Sequence, residues 1–394
     1  MKSKLILLSI TLTILPILDF VFVNKYADEG SFVTIFVRTF VLVISLFYVF
    51  FEAKTLSLFR LNYFNRAVLI LLLYFFIQSF TNPNGFTDSF GLLTRILYIY
   101  CGYFLFYNLS FTDKINSKYL LTIFKRLIPI LLLLIILYMP YRSANRGGLE
   151  DFADNRGYLV LFCLPIILLS IKDKMFVIYL AIVAVGILLA GKRGAILGFG
   201  ISLLVFFYSF LKLESVGRKK KIVFIIMFGF VLISGGYLFI DKLGFLTNRL
   251  TAVSDDGGSG RTLLYSIAFL GWLESDLLHQ IIGNGWMTQP LYFEKVTGGR
   301  PLIAHCDWLQ ILYDFGLVGV LIYFNVFRGL LKELKIAKKI KSINYYPFLI
   351  GVFIFFLKAT LGGTYTDVNS FYILISLGFF MGQIDRERKN LKTL

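Results

Sequence analysis

AHCDWLQILYDFGLVG, residues 304–319, sets one of the chain's two histidines, His305, and two aspartates, Asp307 and Asp314, at the mouth of an apolar run reaching residue 330. About 20 apolar residues rising 1.5 Å each cross a hydrocarbon core of ~30 Å, so this run reads as a helix entering a membrane. The same reading extends over the whole chain. Of 394 residues 58% are hydrophobic and 43 are phenylalanine, with a mean hydropathy of +0.77, against about 45–50% apolar for a soluble domain. Apolar stretches lie at 5–23, 32–51, 67–80, 91–109, 123–139, 157–171, 175–189, 195–211, 222–240, 309–330, 346–361 and 371–381. The expected fold is an all-α polytopic membrane protein with about 12 transmembrane helices. The basic, apolar N-terminus has no small-residue cleavage pattern and reads as an uncleaved first span.

Net charge is +17, which in a soluble protein would point to nucleic acid; here the excess of Lys and Arg in cytoplasmic loops absorbs much of it. With the N-terminus inside, the inner segments carry Lys54, Arg60 and Arg66, then Lys114, Lys118, Lys125 and Arg126, then the basic stretches 218–221 and 332–341, and the tail DRERKNLK. Both termini are then cytoplasmic. Residues 1–240 hold helices one to nine, 241–304 form one large extracytoplasmic loop, and 305–394 hold helices ten to twelve and a basic tail. Inside the loop, SGRTLLYSIAFLGWLES has apolar residues at helical spacing after a Gly/Ser start, and GNGW marks a turn. An amphipathic helix lying on or dipping into the outer interface is expected there.

Some cations break the rule. Lys192 and Arg193, in AGKRGAILGFG, fall outside and at a helix N-terminus, where the positive-inside bias and the helix dipole both oppose them. Cations joined to a helix N-terminus make a strong anion site; snorkelling at the headgroups is the structural alternative. The spacing of Gly194 and Gly198 reads as close helix packing. Arg38, Arg95 and Lys358 sit in the outer portions of apolar runs, with Arg142, Arg146, Arg156, Arg249, Arg261 and Arg300 outside. As a set they suggest an anionic substrate near the outer leaflet, because the permanently charged guanidinium fork suits phosphate oxygens.

His305 lies where the long loop ends and a helix begins, so the helix N-terminus is expected to lower its pKa and keep a neutral general base. Asp307 beside it reads as a helix cap, and Asp314 as a partner for one of the outer cations. His279, in an amphipathic stretch, reads as a surface or packing residue. Cys101, Cys163 and Cys306 make no disulfide framework. Neither metal-ligand spacing, a Walker loop, a dinucleotide fingerprint nor a Ser/His/Asp pattern is present.

Three segments carry a family resemblance: GKRGAILGFG at 191–200, the GSGRTLLYSIAFLGWLES and IIGNGW block at 258–286, and AHCDWLQILYDFGLVG with its His-x-x-x-Leu-Gln-x-x-x-x-x-Gly-x-x-Gly spacing. In order and spacing, over roughly residues 150–380, the chain resembles the O-antigen ligase and O-antigen polymerase superfamily of bacterial membrane glycosyltransferases. Cys306 departs from the His-Asn pair of many members, so an amide role there does not carry over. The resemblance implies a metal-independent, cofactor-free transfer of glycan from a polyprenyl (undecaprenyl) diphosphate to an acceptor sugar hydroxyl, on the outer face of the bacterial cytoplasmic (inner) membrane. Arg193 and Arg261, with Lys192, Arg156, Arg95, Arg38 and Lys358, would bind the diphosphate, and His305 would take the acceptor proton. Implied partners are the lipid-linked glycan, the acceptor glycan, membrane lipids, a chain-length regulator and a flippase, with no nucleic acid. A polymerase of O-antigen, capsule or exopolysaccharide is the leading expectation. The alternatives are a ligase acting on lipid A core or protein, and a lipid-linked oligosaccharide flippase, which would be expected to spread its charges along a pathway.

Overall fold

A computed structural model describes residues 62–83, 85–145, 155–171, 173–212, 222, 229, 261–299, 301–365, 367 and 369–393. The expected spans 5–23 and 32–51, most of 222–240, and Arg38, Arg146, Arg249 and Arg300 lie outside them, as does the side chain of Arg142. Among the described residues the chain is helical, with no strand. The helices are α1 (Tyr63–Phe80), α2 (Phe86–Phe111), α3 (Ser117–Asn145), α4 (Arg156–Ile167), α5 (Phe176–Ala190), α6 (Arg193–Lys212), α7 (Arg261–Glu274), α8 (Leu277–Ile282), α9 (Thr288–Thr297), α10 (Asp307–Lys339), α11 (Tyr345–Leu361) and α12 (Ser370–Thr393). Nine of the expected spans coincide with α1 to α6 and α10 to α12.

Four helices, α1, α2, α3 and α10, are long and apolar enough to cross a membrane, while α4, α5, α6 and α11 are apolar but shorter. The protein is a membrane-embedded helical bundle. Its core is one cluster in which α2 packs along α12 and α1 along α10. Several polar side chains inside it are paired: Asp385 accepts from the Tyr107 hydroxyl at 2.7 Å and the Asn62 amide at 3.0 Å, and Tyr103 donates to Asn65 at 2.6 Å. Such pairing is what burial in an apolar medium demands. The GSGRTLLY segment forms α7, whose Leu264, Ile267 and Ala268 are buried while Leu263, Leu270 and Leu273 are exposed. With Leu277 and Leu278 of α8 also exposed, this is the apolar face an interfacial helix needs.

The helix α10 is not continuous. Gly316 has φ 63° and ψ −167°, outside helical geometry, which frees carbonyls of the preceding turn. In an apolar setting each freed carbonyl needs a partner, and the GNG turn supplies them. Asn284 N–H donates to the Tyr313 carbonyl at 3.0 Å, Gly285 N–H to that of Asp314 at 2.9 Å, and the Tyr74 hydroxyl to that of Phe315 at 2.9 Å. The approach leaves no room for side chains: a Cβ on Gly316 would sit 2.4 Å from the Ile281 carbonyl oxygen, and one on Gly283, at φ 91°, would sit 2.2 Å from that of Asp314. Asp314 differs from its sequence-based expectation. Its carboxylate pairs with no described cation but accepts from Met287 N–H at 3.2 Å, Gln289 N–H at 3.0 Å and the Thr288 hydroxyl at 3.2 Å. It caps α9 from another helix, an arrangement that sequence spacing alone does not reveal.

Gly316→Ala and Gly283→Ala should each lower stability by at least about 1–3 kcal/mol, the cost of a left-handed residue with a side chain, and the contact adds to it. Gly200→Ala, with no atom within 4 Å of the new methyl, should be neutral or gain about 0.5–1 kcal/mol. Thermal unfolding of the detergent-purified protein, followed by fluorescence size exclusion, measures both.

Candidate active site

Four helices start at one place. Lys192 caps α6, its carbonyl accepting from Ala195 and Ile196 N–H at 2.9 and 3.0 Å, and Arg193 is the first helical residue. Arg156 begins α4, and two residues on the Tyr158 hydroxyl fills the space beside Gly194, where a Cβ would lie 2.0 Å from it. The Gly194–Gly198 spacing is thus used for packing, with Gly198 against Leu357 and Leu161. Arg261 begins α7 and donates to the Leu361 carbonyl at the end of α11 at 3.2 Å. Asp307 begins α10. Helix N-termini carry partial positive charge and unpaired N–H groups, so their meeting favours an anion before any side chain is counted.

Lys358, in the last turn of α11, is buried; it pairs with Asp367 at 2.9 Å, donates to the Gly362 carbonyl at 3.0 Å and stands 4.5 Å from the Tyr158 ring centroid. Its ammonium is therefore held by the loop after α11. That loop is pinned in turn by Asp307. The buried Asp307 carboxylate accepts the Thr364 amide at 2.8 and 2.9 Å, the Thr364 hydroxyl, and the Tyr323 hydroxyl at 2.6 Å. The expectation that Asp307 caps its helix is corrected: Cys306 holds the cap position without a side-chain bond, and Asp307, one residue further, turns toward the loop.

His305 sits just before that helix, exposed, with φ 53°. Its pKa is lowered from the ordinary 6.5 by partial desolvation first, then by the fields of Arg261, Lys192 and Lys358, with Asp367 opposing. The direction matches the sequence-based expectation, and desolvation and the three cations are causes that expectation did not name. The structure thus brings His305 together with Lys192, Arg261 and Lys358. The side chain of Arg193 lies outside what is described, though its backbone adjoins Lys192. Arg156 is packed 4.5 Å over the Tyr138 ring, and Arg95 is exposed on α2; neither is among the charges acting most strongly on His305. Sequence reading missed Tyr158, Thr364 and Asp367, though the adjacent Gly362 and Gly363 signalled a turn after α11. His279 is remote from chemistry: its ring bonds Asp276 at 2.7 Å, and that aspartate caps α8 through the His279 amide at 2.9 Å.

Residues 178–324 match the family model described as O-antigen ligase. In this segment the chain is similar to the O-antigen ligase family. The match spans Lys192, Arg193, Arg261, His305 and the Gly316 break, and ends before Lys358 and Asp367. No curated protein matches the chain. The family is one of glycosyltransferase-like ligases and polymerases, so the match supports an enzyme in general, and the family implies a lipid-linked glycan and an acceptor as substrates.

Asp307→Ala would leave the Thr364 amide, the Thr364 hydroxyl and the Tyr323 hydroxyl facing an empty space, at a cost of about 3 kcal/mol or more, whereas Tyr323→Phe should cost only about 1–1.5 kcal/mol. Hydrogen exchange separates local from global loss. In Asp307→Ala, protection should fall most at Thr364 and Tyr365; a uniform fall across α10 to α12 would contradict the pinning role.

Proposed function

We propose that the chain polymerises lipid-linked repeat units, transferring a glycan from a polyprenyl diphosphate to an acceptor sugar hydroxyl on the outer face of the cytoplasmic membrane. The observation that carries this reading is a neutral-leaning histidine set among Lys192, Arg261 and Lys358 where four helices begin. The acceptor oxygen attacks the anomeric carbon, the bond from that carbon to the diphosphate oxygen breaks, and the polyprenyl diphosphate departs with the electron pair. His305 takes the hydroxyl proton. Negative charge grows on the leaving group, and Arg193, Arg261 and Lys192 beside helix N-termini are suited to it, in place of a metal ion. Lys358, committed to Asp367, contributes its field and holds the loop. Arg156, Arg95 and Arg38 are assigned to approach of the anionic donor rather than to the leaving group.

Orientation follows from the positive-inside bias, which puts His305 outside; a reporter fused at Gly191 tests it, and a cytoplasmic signal would remove the reading. Deleting the gene and resolving the surface glycan on a gel tests the activity. Loss of the ladder to single repeat units supports the polymerase, unattached long chains would mean a ligase, and absence of exported product a flippase.

His305→Ala should lower turnover by about 10²–10⁴-fold, and Arg261→Ala or Arg193→Ala by roughly 10²–10³-fold at unchanged expression. Arg193→Lys should recover only part, since the bidentate fork is lost.

The base works when neutral, so kcat/KM should rise with pH through the pKa of His305, which desolvation and the cations set below 6.5. Lys192→Ala removes a cation that favours the neutral ring and should move this acid limb to higher pH. Asp367→Asn removes the opposing carboxylate and should move it lower. A limb that stays fixed in both variants would assign the base elsewhere.

A further inference from the structure

At the other end of α1 and α10 from His305 lies a groove of about 250 Å³ that the glycan chemistry does not use. Its walls are apolar, from Ala67 and Ile70 on α1 and Ile322 and Gly329 on α10; its rim carries Arg66, Arg328 and Lys332. These positions recur at three- and four-residue spacing on both helices, so each helix gives one face to the groove. Among the described residues no carboxylate lines it. Glu333 is buried and accepts the Tyr63 amide at 3.3 Å. Among the described residues Arg66 and Arg328 have no ion pair, while Lys332 is steadied 3.9 Å over the Tyr63 ring.

The height of the groove follows from the helix. Arg328 and Lys332 lie 12 and 16 residues beyond the Gly316 break, roughly 18 and 24 Å along α10, which places them toward the leaflet opposite His305. From Ile70 the exposed Leu73 and Ile77 continue an apolar track along α1 toward the bilayer middle. A single snorkelling Lys or Arg explains one cation at such a level. Three cations around one apolar slot, without a carboxylate, match a different ligand.

We propose that this groove binds an anionic phospholipid, its phosphate held by Arg66, Arg328 and Lys332 and one acyl chain laid against Ile70 and Ile322. Basic pockets between membrane helices favour anionic headgroups by about 1 kcal/mol per cation, close to fivefold each. The bonding chemistry at the rim is that of a phosphate monoanion, whether free or on a lipid; the apolar slot is what selects the lipid.

The test uses the full-length protein purified in detergent. Native mass spectrometry with an equal mixture of phosphatidylglycerol and phosphatidylcholine should show preferential retention of phosphatidylglycerol, and Arg66→Gln with Arg328→Gln should reduce it by about 25-fold, two factors of five. Lys338→Gln with Lys339→Gln, on the same helix but outside the groove, should leave it unchanged. Because the double arginine variant could fail to fold, a second measurement uses the unaltered protein: phosphatidylglycerol with a photoactivatable acyl chain should crosslink to peptides of α1 and α10, and the phosphatidylcholine analogue should not. Equal labelling by both lipids, or labelling that spares α1 and α10, overturns the proposal. Inorganic phosphate that displaces the probe as well as phosphatidylglycerol does would overturn it too, by making the site one for free phosphate.

Discussion

A membrane helix can be broken only where its freed backbone groups find partners, and the break at Gly316 finds them in the turn at Gly283–Gly285. Much else hangs on this contact. It ties the segment carrying α7 and α8 to α10, and it brings Asp314 under the first turn of α9. The same first turn carries Gln289, whose side-chain oxygen accepts the Ala304 amide at 3.1 Å, one residue before His305. The position of His305 therefore descends from two glycines about three turns away along α10 and, by sequence, more than twenty residues upstream. Backbone pairing in an apolar medium costs several kcal/mol per group if left undone, which is why so local a contact can organise so long a segment.

Charge placement at the site follows a second constraint. Partial desolvation and then the cations near His305 favour its neutral form, and in the proposed reaction the same cations would suit an anion that accumulates charge. The cost of gathering them is met in two ways. Lys358 is compensated internally by Asp367 and the Gly362 carbonyl, and Arg261 by the Leu361 carbonyl; both anchors are at the end of α11. Helix C-termini accept cations and helix N-termini accept anions, so the cations rest on the negative end of α11 while four positive ends face the cleft.

How much of this was legible in the sequence differs by level. The nine helices α1 to α6 and α10 to α12 were legible because an uninterrupted apolar run has one stable conformation in lipid. Lys192 drew attention in the sequence because, in the expected topology, it and Arg193 run against both topology bias and helix dipole, and the structure sets Lys192 with Arg261 and Lys358 among the charges acting on His305. Asp307 was read as a local cap, the ordinary use of a carboxylate at a helix start, and Asp314 as the partner of a cation, yet both serve groups that only the fold brings near, Thr364 at 57 residues and Gln289 at 25. Asp367 was passed over because a carboxylate in an outer loop has no sequence mark of the buried lysine it joins.

In the proposed reaction the anchoring of the α11–α12 loop gives Asp307 a positioning role that acts through Lys358. If that loop were free, Lys358 would lose its partner and its burial together, and an unpaired ammonium in an apolar site is costly. It would move toward water and take part of the field at His305 with it. The loop that carries Asp367 and Thr364 is therefore coupled to the basicity of His305 through Lys358, although it lies beyond the segment that matches the family. The proposed glycosyl transfer, which needs its base neutral and its leaving-group charge met at the same moment, would depend on both halves being fixed before substrate arrives, which is the sense in which such a site is preorganised.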